Sequence, residues 1–212
     1  MPSSFIVAQA LAFVREPGQD RLAVIQREEA LIVVVADGVG GISGGAAAAE
    51  LMVKLIEEAV ISPGFDPDRS EAWVELLARA DLVLKTDPRA GETTGVVIAV
   101  SEQGLVGASS GDSGAWMLGD DGSIDDLTAA QHPKLRLGSG QARPAGFSRP
   151  KLAGTLLVAT DGLFNYARPE KIAELVLGDD LDLAMKKLVK LVRLPSGGLQ
   201  DDVGVVLLRS VD

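Results

Sequence analysis

Four aspartates lie at the ends of apolar runs, where carboxylates could bind a metal ion. Asp37 follows Leu-Ile-Val-Val-Val-Ala and Asp161 follows Thr-Leu-Leu-Val-Ala-Thr, and glycine comes directly after each. Asp112 comes after Leu-Val-Gly-Ala-Ser-Ser-Gly, and Asp201 shortly precedes Val-Gly-Val-Val-Leu-Leu. A single aspartate at a strand end is most often a turn former. Four of them at neighbouring strand ends would repel one another unless a cation lay among them.

The residue types that are absent narrow the choice of cation. The 212-residue chain has no cysteine and one histidine, His132. Disulfides, thiolate nucleophiles, iron–sulfur clusters and nearly all zinc sites are therefore excluded. Oxygen ligands remain, and these favour Mg²⁺, Mn²⁺ or Ca²⁺. Gly38, which follows Asp37, would let a backbone carbonyl approach the same ion.

Charge and hydrophobicity exclude other classes of protein. The 20 Lys and Arg against 30 Asp and Glu give a net charge of −10, which argues against nucleic acid as a partner. A hydrophobic fraction of 47% is enough to bury a core, and the length favours one domain over residues 1–212. The N-terminus lacks a signal-peptide pattern, and the longest apolar run, residues 31–36, is too short to span a bilayer. We therefore expect a soluble, cytoplasmic protein without a membrane partner.

The glycine-rich segment after the first aspartate matches other motifs only in part. A P-loop needs Lys and Ser or Thr where Ala46-Ala47 stand, and a dinucleotide fingerprint needs glycine at Ser43. The pattern Gly-x-Ser-x-Gly around Ser43 does fit the nucleophile elbow of a serine hydrolase, as does the pattern around Ser109. This alternative requires His132 as the base. It predicts metal-independent esterase activity that is lost in Ser43→Ala.

Hydrophobic periodicity predicts where strands and helices lie. Short runs rich in Val, Ile and Leu predict strands at 5–14, 22–25, 31–36, 95–100, 105–109, 115–118, 155–159 and 203–208. Helical spacing of apolar residues predicts helices at 46–60, 69–84, 169–178 and 181–192. Because strands and helices come in blocks and do not alternate, we expect an α+β fold with sheets sandwiched between helix layers.

Two details of this prediction rest on weaker patterns. The first helix is expected to place Leu51, Leu55 and Ala59 on one apolar face. Residues 123–150 have weak periodicity, with prolines and glycines near each end, so this segment is expected to be irregular and mobile.

Six short motifs occur in an order that resembles the metal-dependent Ser/Thr protein phosphatases, the PPM or type 2C family. The resemblance covers nearly the whole chain. The motifs are Arg15-x-x-x-Gln19-Asp20, Asp37-Gly-Val-Gly-Gly41, Thr93-Thr94-Gly, Gly111-Asp-Ser113, Ala159-Thr-Asp-Gly-Leu163 and Asp201-Asp-Val-Gly-Val-Val206. The family's fold implies a four-layer α-β-β-α sandwich of two mainly antiparallel sheets flanked by helices.

The resemblance implies a metal-binding role for each matching aspartate. Asp37 would bridge two Mn²⁺ or Mg²⁺ ions, with the carbonyl of Gly38 on the second ion. Asp161 and Asp201 would complete the first site. Asp112, together with Asp161, would hold a third ion.

The implied reaction is hydrolysis of phosphoserine or phosphothreonine without a phosphoenzyme. A water held between two divalent ions becomes hydroxide near neutral pH and would attack phosphorus in line. Arg15 would bind the substrate phosphate and offset its charge. Asp20 would act through a metal-bound water. Without the resemblance, Arg15 would be interpreted as a solvated cation at a strand end.

The chain departs from the family pattern at several positions. Many members carry His where Ile42 stands, and that His is thought to protonate the leaving group, so weaker activity on phosphoproteins is expected. A solvated His132 is a poor substitute. Gly114 replaces the arginine of Gly-Asp-Ser-Arg, and Asp202 replaces a common asparagine. Segment 127–138, where the family has a mobile flap, is short.

The leading hypothesis is therefore a Mg²⁺- or Mn²⁺-dependent Ser/Thr protein phosphatase of compact bacterial type. It would be a monomeric signalling hydrolase whose partners are proteins phosphorylated by a Ser/Thr kinase. The alternative is a catalytically weak or inactive binding module on the same fold. The retained aspartates argue against this alternative and Ile42 argues for it, and metal-dependent turnover distinguishes the two.

Overall fold

The computed structural model describes residues 5–27, 30–39 and 44–211, which form two five-stranded sheets and five helices. The first sheet has the strand order β1-β10-β9-β6-β7 and the second has the order β2-β3-β4-β5-β8. Every one of these neighbouring pairs is antiparallel. The strands are β1 Phe5–Ala12, β2 Asp20–Arg27, β3 Ala30–Asp37, β4 Gly95–Ser101, β5 Gly104–Ser110, β6 Gly114–Leu118, β7 Ile124–Asp126, β8 Ala145–Arg149, β9 Thr155–Ala159 and β10 Val203–Ser210.

The continuous apolar runs arise because both faces of the central strands are buried. In β3, Val33 and Val35 pack in the cluster between the two sheets, whereas Ile32 and Val34 pack towards the helices that cover the second sheet. In β10, Val206 likewise faces the other sheet. Apolar and polar residues alternate along an antiparallel strand only when one face of the sheet meets water. A sheet covered on both faces therefore has unbroken hydrophobic runs in its sequence. The predicted four-layer sandwich is confirmed.

Two helices cover each sheet on its outer side. Helices α1 Gly45–Val60 and α2 Ser70–Thr86 pack on the second sheet, and α4 Pro169–Val176 and α5 Leu181–Leu191 pack on the first. The short helix α3, Asp161–Phe164, follows β9 directly and was not predicted. In the described part of the chain, no helix is both long enough and apolar enough to cross a membrane.

The predicted face of α1 is wrong by one residue. The helix fully buries Met52, Ile56 and Val60, whereas Leu51, Leu55 and Ala59 are only partly buried. Both sets of residues are apolar and have helical spacing, so periodicity alone could not distinguish them. Contact with the sheet decides the rotation of the helix.

The prediction that residues 123–150 are irregular is wrong at both ends. β7 pairs with β6, and β8 pairs with β5. Both strands lie at sheet edges, where β8 buries Phe147 but leaves Gly146 and Ser148 exposed. Short edge strands of this kind lack the apolar period on which the sequence prediction relied.

Candidate metal centre

Three carboxylates converge at one end of the sandwich. Asp37 is the last residue of β3, Asp112 lies in the turn between β5 and β6, and Asp161 is the first residue of α3. Each offers an oxygen atom, and these oxygens lie within 4.8 Å of one another. Asp201, which precedes β10, lines the same cavity of about 240 Å³ together with Asp37 and Asp161. The structure therefore brings together the four aspartates that the sequence singled out.

Two threonines fix the backbone of Asp37. The hydroxyl of Thr94 accepts a hydrogen bond from the Asp37 N–H at 3.0 Å, and the hydroxyl of Thr93 donates to the Asp37 carbonyl at 2.8 Å. The Thr94 hydroxyl also lies 2.6 Å from that of Ser113, the residue after Asp112. The Thr93-Thr94 motif therefore connects Asp37 with Ser113, the residue next to Asp112.

Gly38 is required by the close approach of α1. A Cβ atom at this position would lie 2.3 Å from the carbonyl oxygen of Gly45, which is the first residue of the helix. Gly38 also lines the cavity beside Asp37. A larger residue would displace either the helix or the end of β3.

Burial and mutual repulsion raise the pKa values of Asp37 and Asp161. Burial, followed by the charges of Asp20, Asp161 and Asp201, raises the pKa of Asp37 from its usual 3.8 to about 9. Burial and the nearby Asp201 and Asp112 also raise the pKa of Asp161. A divalent cation would remove this repulsion, and carboxylate oxygens are its preferred ligands. The residues present therefore fit a hard divalent cation.

Asp20 is a buried neighbour of this cluster. It pairs with Asp37 across the β2–β3 ladder, and its Oδ2 accepts a hydrogen bond from the Thr160 hydroxyl at 2.8 Å. Burial, with repulsion from Asp202, raises its pKa to about 7, although the bond from Thr160 opposes this shift. Asp20 is therefore a direct neighbour of the metal-ligand candidate Asp37.

Arg136 is a member of the site that sequence reasoning missed. It lines the cavity, and its Nη2 atom donates to Asp112 Oδ2 at 2.7 Å. The other oxygen, Asp112 Oδ1, is buried and accepts no hydrogen bond from any residue that the structure describes. An unpaired buried carboxylate oxygen beside two other carboxylates is a suitable cation ligand. No signal in the single sequence distinguished Arg136, because it lies in the segment predicted to be irregular.

The structure places Arg15 outside the carboxylate cavity. Arg15 is exposed in the loop between β1 and β2, and it makes no hydrogen bond or ion pair within residues 5–27, 30–39 and 44–211. Both ends of this loop are held by Asp202, whose Oδ1 accepts the Val14 N–H and whose Oδ2 accepts the Gln19 N–H, each at 2.7 Å. Asp202 thus has a clear structural role, which the sequence did not suggest.

Removing the Asp202 carboxylate should loosen this loop. In Asp202→Ala the amides of Val14 and Gln19 lose their acceptors, and we expect their hydrogen exchange to become about 10-fold to 100-fold faster. The measurement is residue-resolved amide exchange by NMR. Asp202→Asn, which retains one acceptor oxygen, should show a smaller change. Unchanged exchange at both amides in Asp202→Ala would contradict the role of Asp202.

Two further candidates from the sequence, His132 and Ser109, do not line the carboxylate cavity. His132 is exposed, and the Ser109 hydroxyl is fully buried in β5. Neither position favours the serine-hydrolase alternative. Ile42 and Ser43 lie outside the residues that the structure describes.

Gly114 has a packing reason for lacking a side chain. It begins β6, and a Cβ atom there would lie 2.9 Å from a ring carbon of Phe164 in α3. The arginine found here in the family would have to displace that ring. The Phe164 ring of α3 therefore occupies the space that a side chain at position 114 would need.

Comparison with known proteins shows similarity along most of the chain. The serine/threonine phosphatase stp of Listeria innocua is 27% identical over 230 residues, covering 92% of this chain and 91% of that protein. The catalytic domain of the phosphatase PstP, in complex with two manganese ions, has a TM-score of 0.79 at 22% identity and covers 98% of this chain and 99% of its own. A serine/threonine phosphatase of S. agalactiae has a TM-score of 0.82 at 20% identity, with 97% and 99% covered.

The structural neighbours establish the fold, and a family profile establishes the membership. The profile described as Protein phosphatase 2C matches residues 14–137, which is more than half of the chain. It includes Asp37 and Asp112 of the carboxylate cluster. The expectation of a metal-dependent Ser/Thr protein phosphatase is confirmed, and the binding-module alternative is not favoured. With its carboxylates converging where β3, β5 and β9 end, this chain belongs to the protein phosphatase 2C family.

Proposed function

We propose that the chain hydrolyses phosphoserine and phosphothreonine esters of proteins, with Asp37, Asp112, Asp161 and Asp201 as the metal ligands. The observation that carries this proposal is the convergence of these carboxylates: Asp37, Asp112 and Asp161 offer oxygens within 4.8 Å of one another, and Asp201 lines a cavity with Asp37 and Asp161. The raised pKa values of Asp37 and Asp161 support the same conclusion, because carboxylates that repel one another need a cation to be fully ionised.

The same residues would hold up to three ions. Asp37, Asp161 and Asp201 would hold the first Mn²⁺ or Mg²⁺ ion, and Asp37 with the carbonyl of Gly38 would hold the second. Asp112, together with Asp161, would hold a third. Bound divalent ions supply an activated water and offset negative charge on the phosphate.

Arg15 is proposed to bind the substrate phosphate. Its guanidinium is exposed and makes no ion pair with a described residue, so its donors are available to a ligand. Guanidinium groups bind phosphate through paired N–H···O hydrogen bonds. The Asp202 carboxylate, which holds both ends of the loop, limits how far Arg15 can move.

Loss of Arg15 should weaken substrate binding more than it affects folding. In Arg15→Ala we expect kcat/KM for a phosphothreonine peptide to fall about 10-fold to 100-fold, since a hydrogen bond to a charged group is worth about 1.5–3 kcal/mol. Steady-state kinetics with the Mn²⁺-loaded protein measures this. Arg193→Ala, which alters an exposed arginine at the end of α5, is the control. Equal kinetics of Arg15→Ala and the unaltered protein would remove Arg15 from the site.

A pair of substrates tests the proposed function and the effect of Ile42 together. p-Nitrophenyl phosphate has a good leaving group, whereas phosphothreonine needs a proton on the departing oxygen. We expect the Mn²⁺-loaded protein to hydrolyse both, with the lower kcat for the peptide. Turnover of neither substrate by folded, Mn²⁺-loaded protein would refute the proposed function.

The partners and setting follow from the same function. We propose that the substrates are proteins phosphorylated by a Ser/Thr kinase, and that the protein acts as a cytoplasmic monomer without nucleic acid. The net charge of −10 supports the absence of nucleic-acid binding.

A further inference from the structure

One segment beside the metal-ligand candidates is held at several points. We call residues 131–142 the strap. The Gln131 side chain donates to the Ser113 carbonyl at 2.7 Å, and the Ser110 hydroxyl donates to the Leu135 carbonyl at 2.7 Å. Further along, Leu137 is fully buried and exchanges two backbone hydrogen bonds with Thr93, each 2.9 Å long. The strap is therefore fixed to the same elements that carry the metal-ligand candidates.

A buried aspartate of α2 fixes the second half of the strap. Asp81 is only 4% exposed, and it accepts three backbone N–H groups of the strap. Its Oδ1 accepts from Gly138 at 2.7 Å and from Gly140 at 2.8 Å, and its Oδ2 accepts from Ala142 at 3.1 Å. Burying a carboxylate is costly unless hydrogen bonds compensate, so this side chain stabilises one particular path of the strap.

Arg136 lies between these anchoring points. The Ser139 hydroxyl donates to the Arg136 carbonyl at 2.7 Å, so the residue is fixed at its backbone. Its guanidinium holds Asp112 Oδ2 and leaves the buried Oδ1 without a partner among the described residues. The direction in which Asp112 presents its free oxygen is therefore set by Arg136.

We propose that Arg136 and Asp81 are positioning residues for Asp112. Asp81 fixes the strap, the strap fixes Arg136, and Arg136 orients the carboxylate so that Oδ1 is presented to a divalent cation. Hydrogen-bond partners of a metal ligand typically contribute about 10-fold to 100-fold in metal affinity. The inference rests on the proposed function, because it assigns Asp112 as a metal ligand.

The test is Mn²⁺ binding measured by calorimetry, which does not depend on turnover. Comparison with Asp112→Asn shows which Mn²⁺-binding event depends on the Asp112 carboxylate. For that ion we expect Arg136→Gln and Asp81→Asn each to lower Mn²⁺ affinity by about 10-fold to 100-fold. The double variant should be no weaker than Arg136→Gln alone, because Asp81 acts through Arg136. Arg136→Lys, which retains the charge and one donor, should restore part of the affinity.

A matched control is available elsewhere in the chain. Arg149→Gln removes the ion pair in which Arg149 Nε lies 2.6 Å from Asp125 Oδ2. Neither residue lines the carboxylate cavity. Its Mn²⁺ affinity should equal that of the unaltered protein. Thermal unfolding without metal shows whether each variant is folded, and Arg136→Gln alone tests the proposal if Asp81→Asn fails to fold.

Several outcomes would overturn the proposal. Unaltered Mn²⁺ affinity in Arg136→Gln would show that the guanidinium does not orient Asp112. Higher affinity would show that Arg136 only competes with the ion for the carboxylate. Additive losses in the double variant would remove Asp81 from the pathway. If the unaltered protein binds Mn²⁺ and hydrolyses phosphoesters while the variants match it, this inference alone fails, whereas no Mn²⁺ binding by the unaltered protein refutes the proposed function too.

Discussion

Asp37→Asn should abolish turnover and at the same time stabilise the metal-free protein. Asp37 lies at the centre of the cluster, and we expect kcat/KM to fall by about 10³-fold or more when several kcal/mol of metal-ion catalysis are lost. The metal-free fold gains stability because asparagine does not ionise, whereas Asp37, with its pKa raised to about 9, must take up a proton when the chain folds at pH 8. Phosphopeptide hydrolysis with Mn²⁺ and urea unfolding with EDTA at pH 8 measure the two effects.

A surface carboxylate provides the control for this substitution. Asp125 lies in the edge strand β7, with 39% of its side chain exposed and an ion pair to Arg149. Asp125→Asn should leave kcat/KM unchanged and should not stabilise the metal-free protein. Retained activity in Asp37→Asn, or loss of stability without metal, would contradict the assignment of Asp37.

The metal-free protein should lose stability as the pH rises. The pKa of Asp37 is about 9 in the folded protein against a usual 3.8, so the unfolded chain releases its proton first. The stability supplied by the protonated carboxyl is complete below pH 4, falls as the pH rises, and is gone above pH 9. Asp20, whose pKa is raised to about 7, acts in the same direction. Each pH unit in this interval costs about 1.4 kcal/mol per group, so the total reaches several kcal/mol.

Mn²⁺ should reverse this trend. Because the ion binds the ionised carboxylates, its stabilising effect increases with pH, and the rise in Tm on adding Mn²⁺ should be larger at pH 8 than at pH 5. Thermal unfolding of the unaltered protein and of Asp37→Asn, with and without Mn²⁺, measures this difference. A Tm of the metal-free protein that does not fall relative to Asp37→Asn between pH 5 and pH 8 would contradict the raised pKa.

The sequence predicted the elements and residues that local patterns specify. The strands of the core and the helix that begins at Pro169 were predicted because apolar runs and a helix-starting proline are local signals. The four aspartates were identified because each stands beside an apolar run. Their convergence follows from the antiparallel pairing, which brings the ends of separate strands together.

Long-range contacts were beyond sequence reasoning. The partners of Asp202 lie more than 180 positions away along the chain, and those of Asp81 lie 57 to 61 positions away. No local pattern specifies such pairs. The role of Arg136 and the rotation of α1 belong to the same class, because tertiary packing determines both. Arg15 was identified by motif, and its exposed loop position gives no contact with the carboxylates among the described residues.

We propose that the convergent carboxylates bind the divalent ions on which phosphoester hydrolysis depends. The most direct measurement is the rate of phosphothreonine-peptide hydrolysis against Mn²⁺ concentration, for the unaltered protein and for Asp161→Asn, with EDTA as the starting state. We expect no turnover in EDTA, saturable recovery on adding Mn²⁺, and no recovery in Asp161→Asn. Turnover that persists in EDTA, or full Mn²⁺-dependent recovery in Asp161→Asn, would contradict this proposal.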